Sequence, residues 1–376
     1  MTIQEFTVGP RFIFGKGATS ALSNLAIQRA YLMCDPFIAQ SHMIDWVLDP
    51  LRKVGAEVKI FSKIIPDPTI TVISESLEQL KAFRPDTVIA LGGGSAIDST
   101  KAVIKVYTES EKIDKPTLIA IPTTSGTGSE NTSFAVISDP SRNKKYALVD
   151  ETMVPELAIL DTDYVLSVPK AITADTGMDV LTHCLEAYVS NKASDFSDAC
   201  AEKGMALTWQ FLLEAYHSGD KDLAREKMHN ASSLAGLAFN NAGLGICHSL
   251  SHAIGAFFHV PHGRINSLLL PYVIAFNASL DEKKESEVTK RYAQMANLLH
   301  LYGATSKQCV LALNYAIKNL SQKMGMPNQL EDLGIDRQAF EAKIPEMAQR
   351  ALADACTPTN PRPVSLEELE AIYRQL

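Results

Sequence analysis

The sequence predicts an α/β N-terminal domain built on a parallel sheet, followed by an all-helical C-terminal domain. Three observations carry this. Short β-branched runs alternate with amphipathic stretches from the start of the chain to about residue 165. Such runs become scarce after Ser167-Val168-Pro169. The length, 376 residues, exceeds what a single hydrophobic core usually serves. The expected domains are residues 1–167 and 168–376, with neither an internal repeat nor a low-complexity linker between them.

In chain order, Ala30–Cys34, Glu57–Phe61, Thr87–Leu91 and Thr117–Ile121 each read as a buried strand, and Leu157–Leu160 as a last one ending at Asp161. Between them, Thr71–Phe83 sets Ile73, Leu77 and Leu80 at helical spacing. Alternation of this kind argues for a parallel sheet covered by helices. At the boundary, Ser167 can cap a helix and Pro169 suits its first turn. Beyond it, Ser197–Tyr216 and Glu285–Leu299 read as helices.

Composition narrows the function classes. Hydrophobic residues are 46% and charged residues 21% of the chain, ordinary globular values that exclude extensive disorder. Lys and Arg number 35 against 43 Asp and Glu, and this acidic balance without a basic run argues against nucleic acid as partner. The six cysteines (Cys34, Cys184, Cys200, Cys247, Cys309 and Cys356) form no CxxC pair and read as reduced thiols of a cytoplasmic protein. The start of the chain carries no secretory pattern. Residues 228–263 lack Asp, Glu, Lys and Arg, but Asn240, Asn241, Pro261 and several histidines there fit buried helices around a polar site better than a membrane span.

Two loops at strand ends suggest a nucleotide. Leu91 runs into Gly92-Gly93-Gly94-Ser95, with a helical pattern from near Ile97. Glycines there let backbone approach a ligand closely, and the N–H groups opening the helix favour an anion such as a diphosphate. The next strand runs into Pro122-Thr-Thr-Ser-Gly-Thr-Gly-Ser-Glu130, rich in hydroxyls and glycine. Both loops belong at the carboxyl edge of one parallel sheet. Asp35, directly after what reads as the first strand, suits the adenosine ribose and favours NAD over NADP, although an Asp-Pro pair also simply starts turns. Neither loop matches GxGxxG.

Histidine is concentrated in the second half. Seven of the nine fall between His183 and His262, four of them from His248 onward. Asp179 and His183 are four apart, as are His248 and His252, so each pair shares a helical face. A carboxylate with several imidazoles suits a first-row divalent ion such as Fe²⁺ or Zn²⁺. His42, His217, His229 and His300 read as ordinary surface or core residues.

Together these residues resemble the iron-containing (group III) alcohol dehydrogenases over nearly the whole chain. Gly92–Asp98 resembles the family's GGGSxxD turn, Thr123–Glu130 its TTxGTGSE loop, Gly177–His183 its GxDALTH motif, and His248–Gly263 its HxxxH…PHG signature. The tail Asp354–Arg362 resembles the family's last segment, and the similarity is strongest to the alcohol dehydrogenases of ethanolamine and propanediol utilisation. The resemblance implies a Rossmann-like, dehydroquinate synthase-like fold and Asp179, His183, His248 and His262 as metal ligands. It leaves His252 unligated near the reacting carbon, a candidate to relay the alcohol proton or, alternatively, a hydrogen-bond partner of a ligand. No role follows for His259.

The same resemblance gives the diphosphate to Gly92, Gly93, Gly94 and Ser95. It adds cofactor contacts at Asp35, Asp98, Thr123, Thr124, Ser129 and Lys145, and a substrate pocket lined by Phe134, Phe239 and Cys356. Ala96 replaces the proline often found after GGGS, and Phe134 stands where relatives are often smaller or polar. The implied reaction is hydride transfer between NAD(H) and a small alcohol or aldehyde with one divalent metal, Fe²⁺ first and Zn²⁺ as the alternative. The implied setting is a cytoplasmic homo-oligomer, a dimer or larger, with a bacterial microcompartment as a further setting. A dehydroquinate synthase-like lyase is the enzymatic rival, disfavoured by the lack of clustered Lys and Arg for a phosphate-bearing substrate. A non-catalytic nucleotide-binding microcompartment protein is the other rival, disfavoured by the complete ligand set.

Overall fold

The computed structural model describes residues 5–66, 68–139, 144–217 and 222–376. Its strands are β1 (Arg11–Gly15), β2 (Arg29–Cys34), β3 (Glu57–Phe61), β4 (Thr87–Gly92), β5 (Thr117–Pro122), β6 (Phe134–Asp139), β7 (Lys144–Val149) and β8 (Leu157–Asp161). Interleaved with them are α1 (Pro36–Gln40), α2 (Asp45–Lys53), α3 (Ile70–Phe83) and α4 (Gly94–Glu111). Then follow α5 (Lys170–Val189), α6 (Asp195–His217), α7 (Asp222–Ala242), α8 (Ile246–Phe258), α9 (His262–Asn277), α10 (Glu287–Leu298), α11 (Ser306–Lys323), α12 (Arg337–Leu352) and α13 (Leu366–Tyr373).

Six strands form one parallel sheet in the order β1-β8-β5-β4-β2-β3, and β6 pairs with β7 as an antiparallel hairpin. Successive side chains on a strand point to opposite faces. Tyr31, Met33, Val88, Ala90, Leu118 and Ala120 therefore pack on one side with α3 and α4, and Ala30, Leu32, Cys34, Ile89, Leu91 and Ile121 on the other with α2. Burial on both faces explains why these strands are unbroken apolar runs.

Four local expectations change. Arg11–Gly15 is the first strand, so Asp35 follows the second; β1 is a half-exposed edge strand without a long apolar run. The β6–β7 hairpin is additional to the expected strands. Helix α4 starts at Gly94 rather than near Ile97, because glycines add nothing to hydrophobic periodicity. Ser167 does not cap α5; Pro169 takes the N-cap position without a side-chain bond.

Val8–Val168 form one compact unit and Pro169–Leu376, with the described residues before Val8, the other. The second unit has one core, through which α5 runs. Every residue of α5 from Gly177 to Val189 is buried. A helix buried all round carries polar groups only where other polar groups meet them, and on α5 Asp179, His183 and Glu186 are among these, along one face. The uncharged stretch 228–263 is divided among α7, α8 and the start of α9, and among the described residues no helix is long and apolar enough to cross a membrane. All six cysteines are free.

Candidate functional site

In the first unit the register sets Cys34 beside Leu91 and Gly92 beside Pro122. The chain leaves β2 toward β3 on one side and β4 toward β5 on the other. A reversal of this kind opens a crevice at the carboxyl ends, where such sheets bind ligands. Asp35, Gly92–Ser95 and Thr123–Ser129 all follow these strands. The Gly92 carbonyl accepts the Thr123 N–H at 3.0 Å. A Cβ on Gly93 would stand 3.3 Å from Thr124 Oγ1, and one on Gly94 2.8 Å from Thr127 Cγ2, so the two loops approach closely at these glycines and the threonines would have to shift for a larger residue. No side chain caps the N-terminus of α4, which leaves its first N–H groups available to an anion. Ser95 sits in that first turn, where its carbonyl accepts the Ser99 hydroxyl at 2.7 Å.

Asp98, on α4, is engaged with Ser129 of the second loop. Asp98 Oδ1 accepts from Ser129 Oγ at 2.6 Å and Oδ2 from the Val136 N–H at 3.0 Å. Beside them Lys101 is fully buried, and its Nζ donates to the carbonyls of Ser129, Thr132 and Phe134 at 2.6, 2.6 and 2.9 Å. Burial pulls the Lys101 ammonium down to about 8, with Asp98 and Glu130 opposing. Asp35 caps α1 through Oδ1, which accepts the Ile38 N–H at 2.9 Å, while Oδ2 lies 3.8 Å from where a Cβ on Gly92 would stand. The Lys145 side chain lies outside the described residues.

In the second unit three helices bring the Asp and His motifs together. Asp179 Oδ1 lies 3.8 Å from His183 Nε2, 3.6 Å from His248 Nε2 and 3.7 Å from His262 Nε2. Helix α5 supplies the first two residues, α8 supplies His248, and His262 is the first residue of α9. The donor atoms of Asp179, His248 and His262 lie within 4.8 Å of one another. Burial pushes the Asp179 carboxyl up, but His183, His262 and His248 outweigh it and hold it below the usual carboxylate range. Burial also pushes His248 down, and Glu186 with Asp179 overcomes this, raising it to about 9.

Other side chains orient these donors. Glu186 Oε2 is 2.5 Å from His248 Nδ1, Ser251 Oγ is 2.9 Å from His262 Nδ1, and Asn266 Nδ2 donates to Asp179 Oδ1 at 2.8 Å. Phe239 packs its ring 4.6 Å from that of His183. The motif reading missed Glu186, Ser251, Asn266 and Lys101. Glu186 had a signal, since it stands seven residues after Asp179 on the same helical face.

His252 lies apart from Asp179. Its ring stacks on His262 at 5.0 Å, and Nδ1 is 2.9 Å from Asp354 Oδ2. Cys356 donates its N–H to Asp354 Oδ1 at 2.9 Å, and burial pushes its thiol up. His259 closes α8 in the left-handed region, at φ 54°. His42, His217 and His300 meet aromatic neighbours, and His229 is buried.

Comparison with known proteins identifies the family. The family model described as iron-containing alcohol dehydrogenase matches residues 9–162, and that of the Fe-containing alcohol dehydrogenase family C-terminal domain matches 173–376. The chain is 44% identical over 376 residues to 1-propanol dehydrogenase PduQ of Citrobacter freundii, covering all of both. It is 38% identical to an NADPH-dependent butanol dehydrogenase of Clostridium saccharobutylicum, covering 99% of this chain and 97% of the relative. Among solved structures, sulfoacetaldehyde reductase from Bifidobacterium kashiwanohense in complex with NAD⁺ superposes with a TM-score of 0.88 at 26% identity, over 100% of this chain and 99% of that one. Both halves matching in order, with full-length relatives, means that the chain belongs to the iron-containing alcohol dehydrogenase family and is an oxidoreductase acting on CH–OH groups.

Proposed function

We propose that this chain interconverts small primary alcohols and aldehydes with NAD(H) and one divalent ion, Fe²⁺ in the first place and Zn²⁺ as the alternative. The observation that carries the reading is the convergence of three imidazole nitrogens on one buried carboxylate oxygen. This oxygen-and-nitrogen donor set, with no thiolate, suits such an ion. Asp179, His183, His248 and His262 would hold it, with Glu186, Ser251 and Asn266 fixing their orientation. When bound, the ion supplies Lewis acidity toward the substrate oxygen and the nicotinamide supplies or takes up the hydride.

The remaining work falls to the chain. Gly92, Gly93, Gly94 and Ser95 bind the diphosphate through backbone N–H groups at the start of α4. Asp35 faces the ribose, and Thr123, Thr124, Ser129, Asp98 and Lys145 complete the cofactor's surroundings. His252 handles the alcohol proton, since an imidazole ring can both give and accept one. Phe239 and Cys356 line the substrate. Support for NAD(H) comes from Asp35 and the NAD⁺-bound structural relative; support for short alcohols comes from the propanol and butanol dehydrogenases.

The test is NADH consumption with unbranched aldehydes from acetaldehyde to hexanal, on protein reconstituted separately with Fe²⁺ and with Zn²⁺. Steady, ion-dependent turnover is expected, and an internally recycled cofactor, as in a lyase, would give none. If no aldehyde draws ion-dependent NADH consumption, the reading fails.

A further inference from the structure

The segment after α12 is tied to the start of α8 by a run of hydrogen bonds. Thr359 Oγ1 donates to the Leu244 carbonyl at 2.5 Å, and Asn360 Oδ1 accepts the Ile246 N–H at 3.3 Å. Thr357 Oγ1 donates to the Ala351 carbonyl at 2.6 Å and lies 2.8 Å from Ser249 Oγ, which reaches Asp354 Oδ1 at 3.4 Å. That oxygen also accepts the Cys356 N–H at 2.9 Å. One oxygen of Asp354 is therefore held in place, and the other lies 2.9 Å from His252 Nδ1.

We propose that Asp354 is a positioning residue that fixes the ring plane and the tautomer of His252. An ionised carboxylate only accepts hydrogen bonds, so Nδ1 carries a hydrogen, and in the neutral ring Nε2 keeps its lone pair. Burial pushes the Asp354 carboxyl up, but His252 and the bonds from Cys356 together outweigh this and hold it below the carboxylate range, so it stays an acceptor. Stacking on His262, with the planes 19° apart, restrains the ring from a second direction. The His252 side chain remains 44% exposed and that of Asp354 only 20%, which suits an accessible group steered by a more buried one. The strap formed by residues 354–360 thus presents one imidazole nitrogen. This inference rests on the proton-handling role given to His252 above.

Three kinds of measurement test it on the metal-loaded protein. Asp354→Asn offers an amide that can donate to Nδ1 and so favours the wrong tautomer. It is expected to lower kcat about 10–100-fold, the usual cost of losing such a partner, with aldehyde KM and metal content unchanged. Asp354→Glu, which keeps the carboxylate, should recover part of that loss. In a His252→Ala background, Asp354→Asn should cost nothing more, because the two act as one unit. Full kcat in Asp354→Asn beside a slow His252→Ala would overturn the positioning role, as would losses that multiply in the double variant. NMR of isotope-labelled histidine in the unmutated, Zn²⁺-loaded protein should find the Nδ1–H tautomer at His252, and an Nε2–H tautomer would overturn it even if the variants fold poorly. Wild-type turnover in His252→Ala would instead show that the proton-handling reading itself has failed, and the positioning role falls with it.

Discussion

Glu186 Oε2 lies 2.5 Å from His248 Nδ1, and Oε1 of the same carboxylate accepts the Cys247 N–H at 2.7 Å. One buried side chain on α5 thus fixes both the first turn of α8 and the nitrogen that His248 turns toward Asp179. Glu186→Gln keeps the volume but puts a neutral amide beside Nδ1. Metal retention should weaken about 10–100-fold, as is usual when the partner of a ligating imidazole is lost. Chelator competition on the folded variant measures this, and wild-type retention would remove Glu186 from the site.

The same pair sets a pH dependence. Without an ion, His248 is raised to about 9, so it carries a proton at neutral pH. An ion needs the neutral imidazole, so its uptake must displace that proton. Affinity should therefore rise with pH, by about tenfold per unit for one displaced proton, and level off above about 9. Calorimetry in buffers of different ionisation enthalpy would count the released protons. Affinity that stays flat through neutrality would show that no proton competes with the ion.

Gly263 holds α9 against α5. A Cβ there would stand 2.0 Å from the Asp175 carbonyl oxygen and 3.2 Å from Asp179 Cβ. Backbone cannot yield as a flexible side chain does, so Gly263→Ala must push the helices apart. We expect a loss of about 1–3 kcal/mol, the usual cost of overpacking, together with weaker metal retention because His262 moves with α9. Thermal unfolding with and without the ion separates the two effects. An unchanged melting temperature would mean that the helices adjust freely.

How far the sequence disclosed all this depended on distance along the chain. Strands such as Thr87–Gly92 could be read because burial on both faces demands an unbroken apolar run. Edge strand β1 could not, since Arg11 and Phe14 are exposed and nothing in so short a run separates it from a loop. At the metal site the pairs four residues apart were visible by helical periodicity. Asp354 stands in a tail segment whose resemblance to the family is legible, but its bond to His252 spans 102 residues, and no local pattern encodes such a contact. Lys101 was hidden differently: its surroundings of carbonyls are a backbone property that residue types do not announce.

Asp35 offers a cofactor prediction with its own structural control. It follows β2 directly, and the crevice at the reversal of strand order lies between β2 and β4. A carboxylate facing the ribose would repel the 2′-phosphate of NADP, by about 1 kcal/mol per charge at 4 Å even in bulk water and by more near protein. Asp35 also caps α1 through the Ile38 N–H, so a substitution could act on the helix alone. Asp35→Asn keeps a capping oxygen and removes the charge, while Asp35→Gly removes both at a cost of only a few tenths of a kcal/mol, roughly the usual figure for glycine at a cap. Both variants should raise kcat/KM with NADPH relative to NADH by at least about fivefold, with melting temperatures near wild type. One relative is named as NADPH-dependent and another was solved with NAD⁺, so both cofactors occur among similar proteins. An unchanged cofactor ratio in both variants would show that Asp35 serves α1 and does not face the ribose.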